Sequence, residues 1–365
     1  MPVAKKVSLQ QFSDYCCQNG LPFALYQLPA TQVIKVVAQK NNQLKKAPAA
    51  SSAVKGFIFA PFQEDKRNGK IIIAPDVFTT ADKLPKPAFA AKNIKLQPTE
   101  IKKEKIKEAS KKQYVTYVEE IQTQINKGKF KKIVAARVVK KGRPHNFNAV
   151  TFFQNLCKTY PNAFVSMVYT PQYGLWIGAT PEILLQADKD GLKTYSLAGT
   201  RANANKANQA WGTKEQEEQK IVSEYIIEAF KKVTKDKPTV QGPETITAGN
   251  LQHLRTTFTY PKTPTGKWAQ VVEQLHPTPA VAGLPKKDSI AFITAHEKAP
   301  RSFYSGYLGP VNLDNQINLF VNLRCMQVLK NKLAIYVGCG ITAASTPAAE
   351  WKESKMKSQT LLSML

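Results

Sequence analysis

The chain is 365 residues long, with 43% hydrophobic residues and a formal net charge of +26. That length allows one large domain or two ordinary ones, and that apolar content excludes wholesale disorder. The charge would suit nucleic acid through counterion release, but it is nearly all lysine, scattered, and without a recognised nucleic-acid module, so the expected partner is a small anion and not a nucleic acid.

The N-terminal MPVAKKVSLQQFSDY has no apolar core after its charges, and no stretch approaches the ~18 apolar residues of a membrane span. Cys16, Cys17, Cys157, Cys325 and Cys339 include no CxxC pair. These features predict a cytoplasmic protein with reduced thiols and no membrane partner.

In chain order, residues 1–80 alternate helix-like and strand-like pieces, with buried strands expected at 54–62 and 71–78. The Lys- and Pro-rich stretch 82–108 reads as a surface excursion within one domain, 1–365. Tyr114, Val118, Ile121 and Ile125 recur at helical spacing over 111–126, and Gly128 closes that helix. A strand at 132–139 follows, then a helix at 149–160 and strands at 163–169, 174–178 and 183–186. A long charged helix spans 214–233, a last strand 333–337, and a last helix begins at Pro347 with Thr346 as N-cap. Strands joined by tight turns outnumber helices, which predicts an α+β fold with large sheets.

Several positions could carry chemistry. Alternation puts Lys132, Val134 and Ala136 on one strand face. There Lys132 is either an edge guard or, if buried beside positive neighbours such as Lys131, a base. Glu182 follows Pro181 in a turn and is either a turn residue or a proton donor. Glu224 borders the apolar stripe Val222, Ile226, Phe230, one turn after Lys220. It reads as a boundary salt bridge or as a carboxylate for Mg²⁺, which uses oxygen ligands. In the last helix Glu350, Glu353 and Lys357 share a face, as a solvated charged face would or as a site would. Gly338 and Gly340 flank Cys339 between strand and helix, where glycine lets backbone N–H groups approach an anion. The loop LHPTPAVAGLP at 275–285 is rigid by composition and carries His276.

Taken in order, KIVAAR at 132–137, GATPEILL at 178–185, SLAGTR at 196–201, Lys220-x-x-x-Glu224, LQHLRT at 251–256, LHPTPAVAGLP at 275–285, EKAPRSFYSGYLG at 297–309, VNLRC at 321–325, GCGI at 338–341 and EWKESKMK at 350–357 resemble the chorismate-utilising enzymes. The resemblance covers roughly residues 110–365, while 1–110 match only loosely. It implies two stacked, mainly antiparallel sheets with helices outside. Lys132 stands where the water-adding members, the isochorismate and salicylate synthases, carry their base lysine. The HPTPAVAG loop looks like the isochorismate synthase version.

The resemblance further implies a site. Mg²⁺ would be held by Glu224 and Glu353, with Glu350 helping through water. Lys132 would activate water at C2 of chorismate, and Glu182 would protonate the departing C4 hydroxyl, giving isochorismate. Tyr304 and Arg324 match positions that grip the enolpyruvyl carboxylate. Gly199, Thr200, Gly338, Gly340 and Lys357 match further substrate contacts, with His276 near the ring. A monomer with no obligatory glutaminase subunit is expected, and the product would feed menaquinone or siderophore synthesis. Salicylate synthases share the catalytic pair and remain the main alternative; a nucleic-acid-binding protein on the same fold is the other. Three departures stand out: Tyr225 where the family has His after the metal glutamate, Cys339 in GCGI, and Leu323 before Arg324.

Overall fold

The computed structural model describes residues 7–46, 54–65, 68–85, 106–202, 210–248, 251–261 and 265–365. Most of the 82–108 stretch therefore lies outside the described residues. Among the described residues, two nine-stranded sheets carry the fold. Edge to edge, the first runs Gly283–Leu284, Lys132–Gly142, Lys332–Ile341, Cys325–Val328, Gly174–Thr180, Phe164–Thr170, Phe23–Gln27, Ile34–Ala38, Val77–Thr80. The second runs Thr239–Ala248, Leu251–Tyr260, Gly191–Ala202, Ile183–Asp188, Gln316–Val321, Tyr307–Leu313, Gly56–Ala60, Ile71–Ile73, Lys45–Lys46. The described pairings are antiparallel.

Period-two alternation explains how a strand is buried on both faces. In Phe23–Gln27, Phe23 and Leu25 join an outer cluster with Phe12, Phe153 and Leu156. Ala24 and Tyr26 turn inward to a cluster shared with Phe57, Phe59 and Phe320 of the other sheet. Phe164 and Phe320 stack across the two sheets with ring centroids 4.0 Å apart. This is a sandwich core between two sheets.

Helices cover the outside. Leu9–Gln18 and Ala149–Thr159 pack on the first sheet. Thr213–Lys231 and Trp268–Leu275 pack on the second. Lys111–Asn126 and Lys286–His296 close over Ile133, Ala135, Cys339 and Ile341, with Trp351 of the last helix, Pro347–Leu362, against the same cluster. The first of these has the expected extent and a capping box at Ser110. The α+β sandwich is thus the one the resemblance implied.

Three local expectations need correction. Segment 71–78 divides at Ala74-Pro75-Asp76, because proline has no N–H for a ladder, and its halves enter different sheets. Thr346 occupies the N-cap, but its side chain makes no capping hydrogen bond. Gly338 and Gly340 lie inside the strand Lys332–Ile341, not in a loop before the last helix.

Candidate active site

The site is built where the sandwich core is emptied. On the inward face of Lys332–Ile341, Ala334 and Tyr336 fill the core, and the next two inward positions are Gly338 and Gly340. A Cβ on Gly338 would lie 2.7 Å from the Tyr304 hydroxyl, and one on Gly340 would lie 2.8 Å from Lys132 Cε. The glycines therefore make room for side chains, which is the physical reason they stand there. The cavity they open is lined by Lys132, Glu182, Gly199, Tyr304, Arg324, Gly338, Gly340, Glu353 and Lys357, all of them expected.

Lys132 points inward with Val134, as alternation required, and is 2% exposed. It is not on an edge strand, because Gly283–Leu284 pairs outside it. Lys131 is exposed, and the charged neighbour of Lys132 is instead the Glu218 carboxylate at 3.5 Å. Lys131 is thus not the close positive neighbour that would favour a neutral Lys132. The strand is held by a buried ion pair from the EKAPR segment. Glu297 Oε1 accepts the Ala136 N–H at 2.9 Å, while Arg301 Nη2 donates to the Val134 carbonyl at 2.7 Å and Nη1 to that of Val281 at 2.5 Å. These side chains continue the hydrogen bonding where the short neighbouring strand ends.

Glu182 sits at a fixed corner. Its N–H donates to Thr180 Oγ1 at 3.2 Å, and its carbonyl accepts from Val321 N–H at 2.9 Å. Burial pushes its carboxyl up to about 7, against the pull of Lys132, Lys357 and Arg324. Lys357 ties the last helix to the glycine strand, donating to Gly338 O at 3.0 Å and pairing with Glu353 at 2.7 Å. Burial opposes its charge, but Glu353 prevails and holds it above the ordinary lysine range. Burial pulls Arg324 below its usual range, offset by Tyr304 and Glu353. Burial also holds the Tyr304 hydroxyl protonated.

Other expectations need revision. Glu224 lies outside the cavity, its side chain 62% exposed and 4.0 Å from Lys220. It stands about 200° around the helix from the core residue Val222. Extending the Val222–Ile226–Phe230 stripe backwards leads to Glu218 and Glu215, which do line the cavity. The residue after Glu218 is Gln219, whose Nε2 donates to Ser196 Oγ at 2.6 Å and Thr256 Oγ1 at 2.9 Å. Glu350 does not itself line the cavity, but it is buried one turn before Glu353. A carboxylate oxygen of each lies with Cys339 Sγ in a group within 4.8 Å of one another, a placement compatible with the indirect part expected of Glu350.

His276 is likewise outside. Its Nε2 is 3.2 Å from the carbonyls of both Pro61 and Phe62, and its ring meets Tyr307 edge-on at 4.9 Å. Burial lowers it to about 3, so it is a neutral loop anchor. The loop's contributions to the cavity are Ala280 and Val281. Lys286 holds this loop, donating to His276 O at 2.5 Å and to Gln274 O at 3.1 Å. Thr200 lies on the strand Gly191–Ala202, and its side chain is outside the described residues.

The histidine that does line the cavity is His253, within LQHLRT. Burial first, then Arg324 and Lys357, lower it to about 3. The neutral ring's Nδ1 is 3.1 Å from the Gly199 carbonyl. A carbonyl only accepts, so Nδ1 carries the proton and Nε2 is the acceptor. Gly199 has φ +70° at a break in strand register, and a Cβ there would also meet Glu215 Cβ at 2.9 Å. One bulge thus seats His253 and the start of the long helix together. The motif LQHLRT contains His253, but its strand, Leu251–Tyr260, mixes polar and apolar residues, so alternation does not single this histidine out.

Among the described residues, the cavity joins three cations and four carboxylates drawn from one strand, the two sheet-to-sheet connections at Glu182 and Arg324, and two helices. Among the described residues, no helix is long and apolar enough to cross a membrane. The isochorismate synthase EntC of Escherichia coli K12 is 24% identical over 241 residues, 64% of this chain and 62% of that protein. The isochorismate synthase MenF of the same strain is 30% identical over 251 residues, 66% of this chain and 57% of that protein. The chain thus spans less than two thirds of the length of these relatives. The solved structure of DhbC from Bacillus anthracis shares the fold, with TM-score 0.76, 22% identity, and coverage of 94% of this chain and 96% of that one. Residues 60–365, which hold every cavity-lining residue, match the chorismate binding enzymes, and the chain belongs to that family.

Proposed function

We propose that the chain is an Mg²⁺-dependent isochorismate synthase that exchanges the C4 hydroxyl of chorismate for one at C2. The observation that carries this reading is the buried pair Lys132 and Glu182 in one cavity, with Glu182 held near an even protonation balance at neutral pH. Its names for the reaction come from EntC and MenF, both isochorismate synthases.

Glu215, Glu218 and Glu353 offer oxygen donors to one cavity, a donor set that fits Mg²⁺. When bound, the ion would supply positive charge to fix a substrate carboxylate. Glu218 and Glu353 now face Lys132 and Lys357, so the carboxylates that would hold the ion also set the charge around the lysines. Arg324 and Tyr304 grip the enolpyruvyl carboxylate, Arg324 through paired N–H donors. Lys132 takes a proton from the water that attacks C2. The ring double bonds shift, and the C4–O bond breaks as Glu182 delivers its proton, so the old hydroxyl leaves as water. Neutral His253 offers an acceptor at Nε2 to a substrate hydroxyl.

Purified protein incubated with chorismate and Mg²⁺ should give an isomer of unchanged mass without pyruvate. Pyruvate release measured with lactate dehydrogenase would show a salicylate synthase instead, and no consumption of chorismate with any divalent cation would falsify the proposal.

A further inference from the structure

We propose that Thr360 is a positioning residue for substrate, fixing the plane of the Arg324 guanidinium so that its free donors face the cavity. The inference rests on the chorismate reading above and adds to it a residue that does not itself line the cavity. Arg324 lies between the strands Gln316–Val321 and Cys325–Val328 with φ +46°. That left-handed backbone is held by Ala179 N–H donating to Arg324 O at 3.1 Å. The backbone fixes where the side chain starts, but a long arginine needs a second anchor to fix its tip.

Thr360 is that anchor. Arg324 Nη1 donates to Thr360 Oγ1 at 3.0 Å. Glu353, Lys357 and Thr360 follow at i, i+4 and i+7, one stripe of the last helix. Ser354, earlier in the same helix, plays the same part for another arginine, accepting from Arg137 Nε at 2.9 Å while donating to the Trp351 carbonyl, whereas Ser358 donates to the Lys355 carbonyl in its own helix. The Thr360 carbonyl accepts from Tyr160 O–H at 3.1 Å, which pins this turn of the helix against the first sheet's outer layer. The guanidinium has five N–H donors in one rigid plane. Holding one of them sets the direction of the rest, and bidentate grip of a carboxylate depends on that direction.

Thr360→Ala and Thr360→Ser test this, because they differ only in the hydroxyl. The alanine variant should raise KM for chorismate about tenfold, as loss of one hydrogen bond to a charged group would, with kcat within about twofold. The serine variant should keep both constants within about twofold of the parent. If Thr360→Ala melts below the assay temperature, Thr360→Val, equal in shape to threonine, replaces it in the comparison. An unmoved KM in the variant without the hydroxyl overturns the inference alone, as does a fall in kcat at constant KM. A parent protein that neither binds nor consumes chorismate overturns the functional reading and this inference with it.

Discussion

A carboxyl group buried at the corner of two strands has to be either neutral or costly. Burial lifts Glu182 from 4.5 to about 7, so the native state keeps a proton that the unfolded chain releases. The folded pKa is the higher one, so stability falls as pH rises from about 4.5 to about 7 and stays reduced above that. The cost is on the order of 3 kcal/mol. Glu182→Gln removes the titration and keeps the shape. It should therefore raise stability above pH 7, show no gain near pH 4.5, and cut turnover by roughly 10²–10⁴-fold. Thermal melts at the two pH values, alongside a turnover assay, check this. A variant no more stable at the higher pH would mean that Glu182 is not a desolvated acid.

At the scale of elements, the long helix shows what sequence periodicity can and cannot reveal. Its extent and its apolar stripe were legible, because Val222, Ile226 and Phe230 pack on a sheet. Its functional end was not, because the same stripe turns acidic at Glu218 and Glu215, where it leaves the core and meets the cavity. Glycines 338 and 340 were misplaced for a related reason. The apolar pattern stops at Val337, so the strand seemed to stop too, although it continues to Ile341. A site hollowed from a core erases the hydrophobic signal that marks its own walls. Lys132, Glu182, Arg324 and the last helix were legible through their motifs, whereas the strand order was not, since Phe23–Gln27 pairs with Phe164–Thr170 across a long separation. The corrected helix face makes a prediction. Glu218→Gln should raise the Mg²⁺ requirement roughly 10- to 100-fold, and Glu224→Gln should leave it unchanged. Mn²⁺ binding followed by electron paramagnetic resonance reads this without turnover. Equal weakening in the two variants would rule out the assignment to the Glu215–Glu218 face.

For the whole molecule, the excess of lysine needs a physical role that the cavity does not already supply. Lys132, Arg324 and Lys357 face Glu182, Glu215, Glu218 and Glu353, so the cavity's own charges nearly cancel. Even with Mg²⁺ bound there, the cavity's net charge would stay small beside the +26 of the whole chain, whose field a dicarboxylate arriving from solution meets first. Such charges are solvated, and salt screens them over a Debye length of about 10 Å at 0.1 M. The buried groups that line the cavity are screened far less. Raising salt from about 0.02 M to about 0.5 M should thus lower kcat/KM for chorismate by roughly tenfold. It should leave kcat within about twofold, since kcat reports the occupied cavity. Steady-state kinetics across that range, with Mg²⁺ held saturating, separates capture from chemistry. A flat kcat/KM would show that the basic surface plays no part in bringing the substrate in, whatever the cavity then does with it.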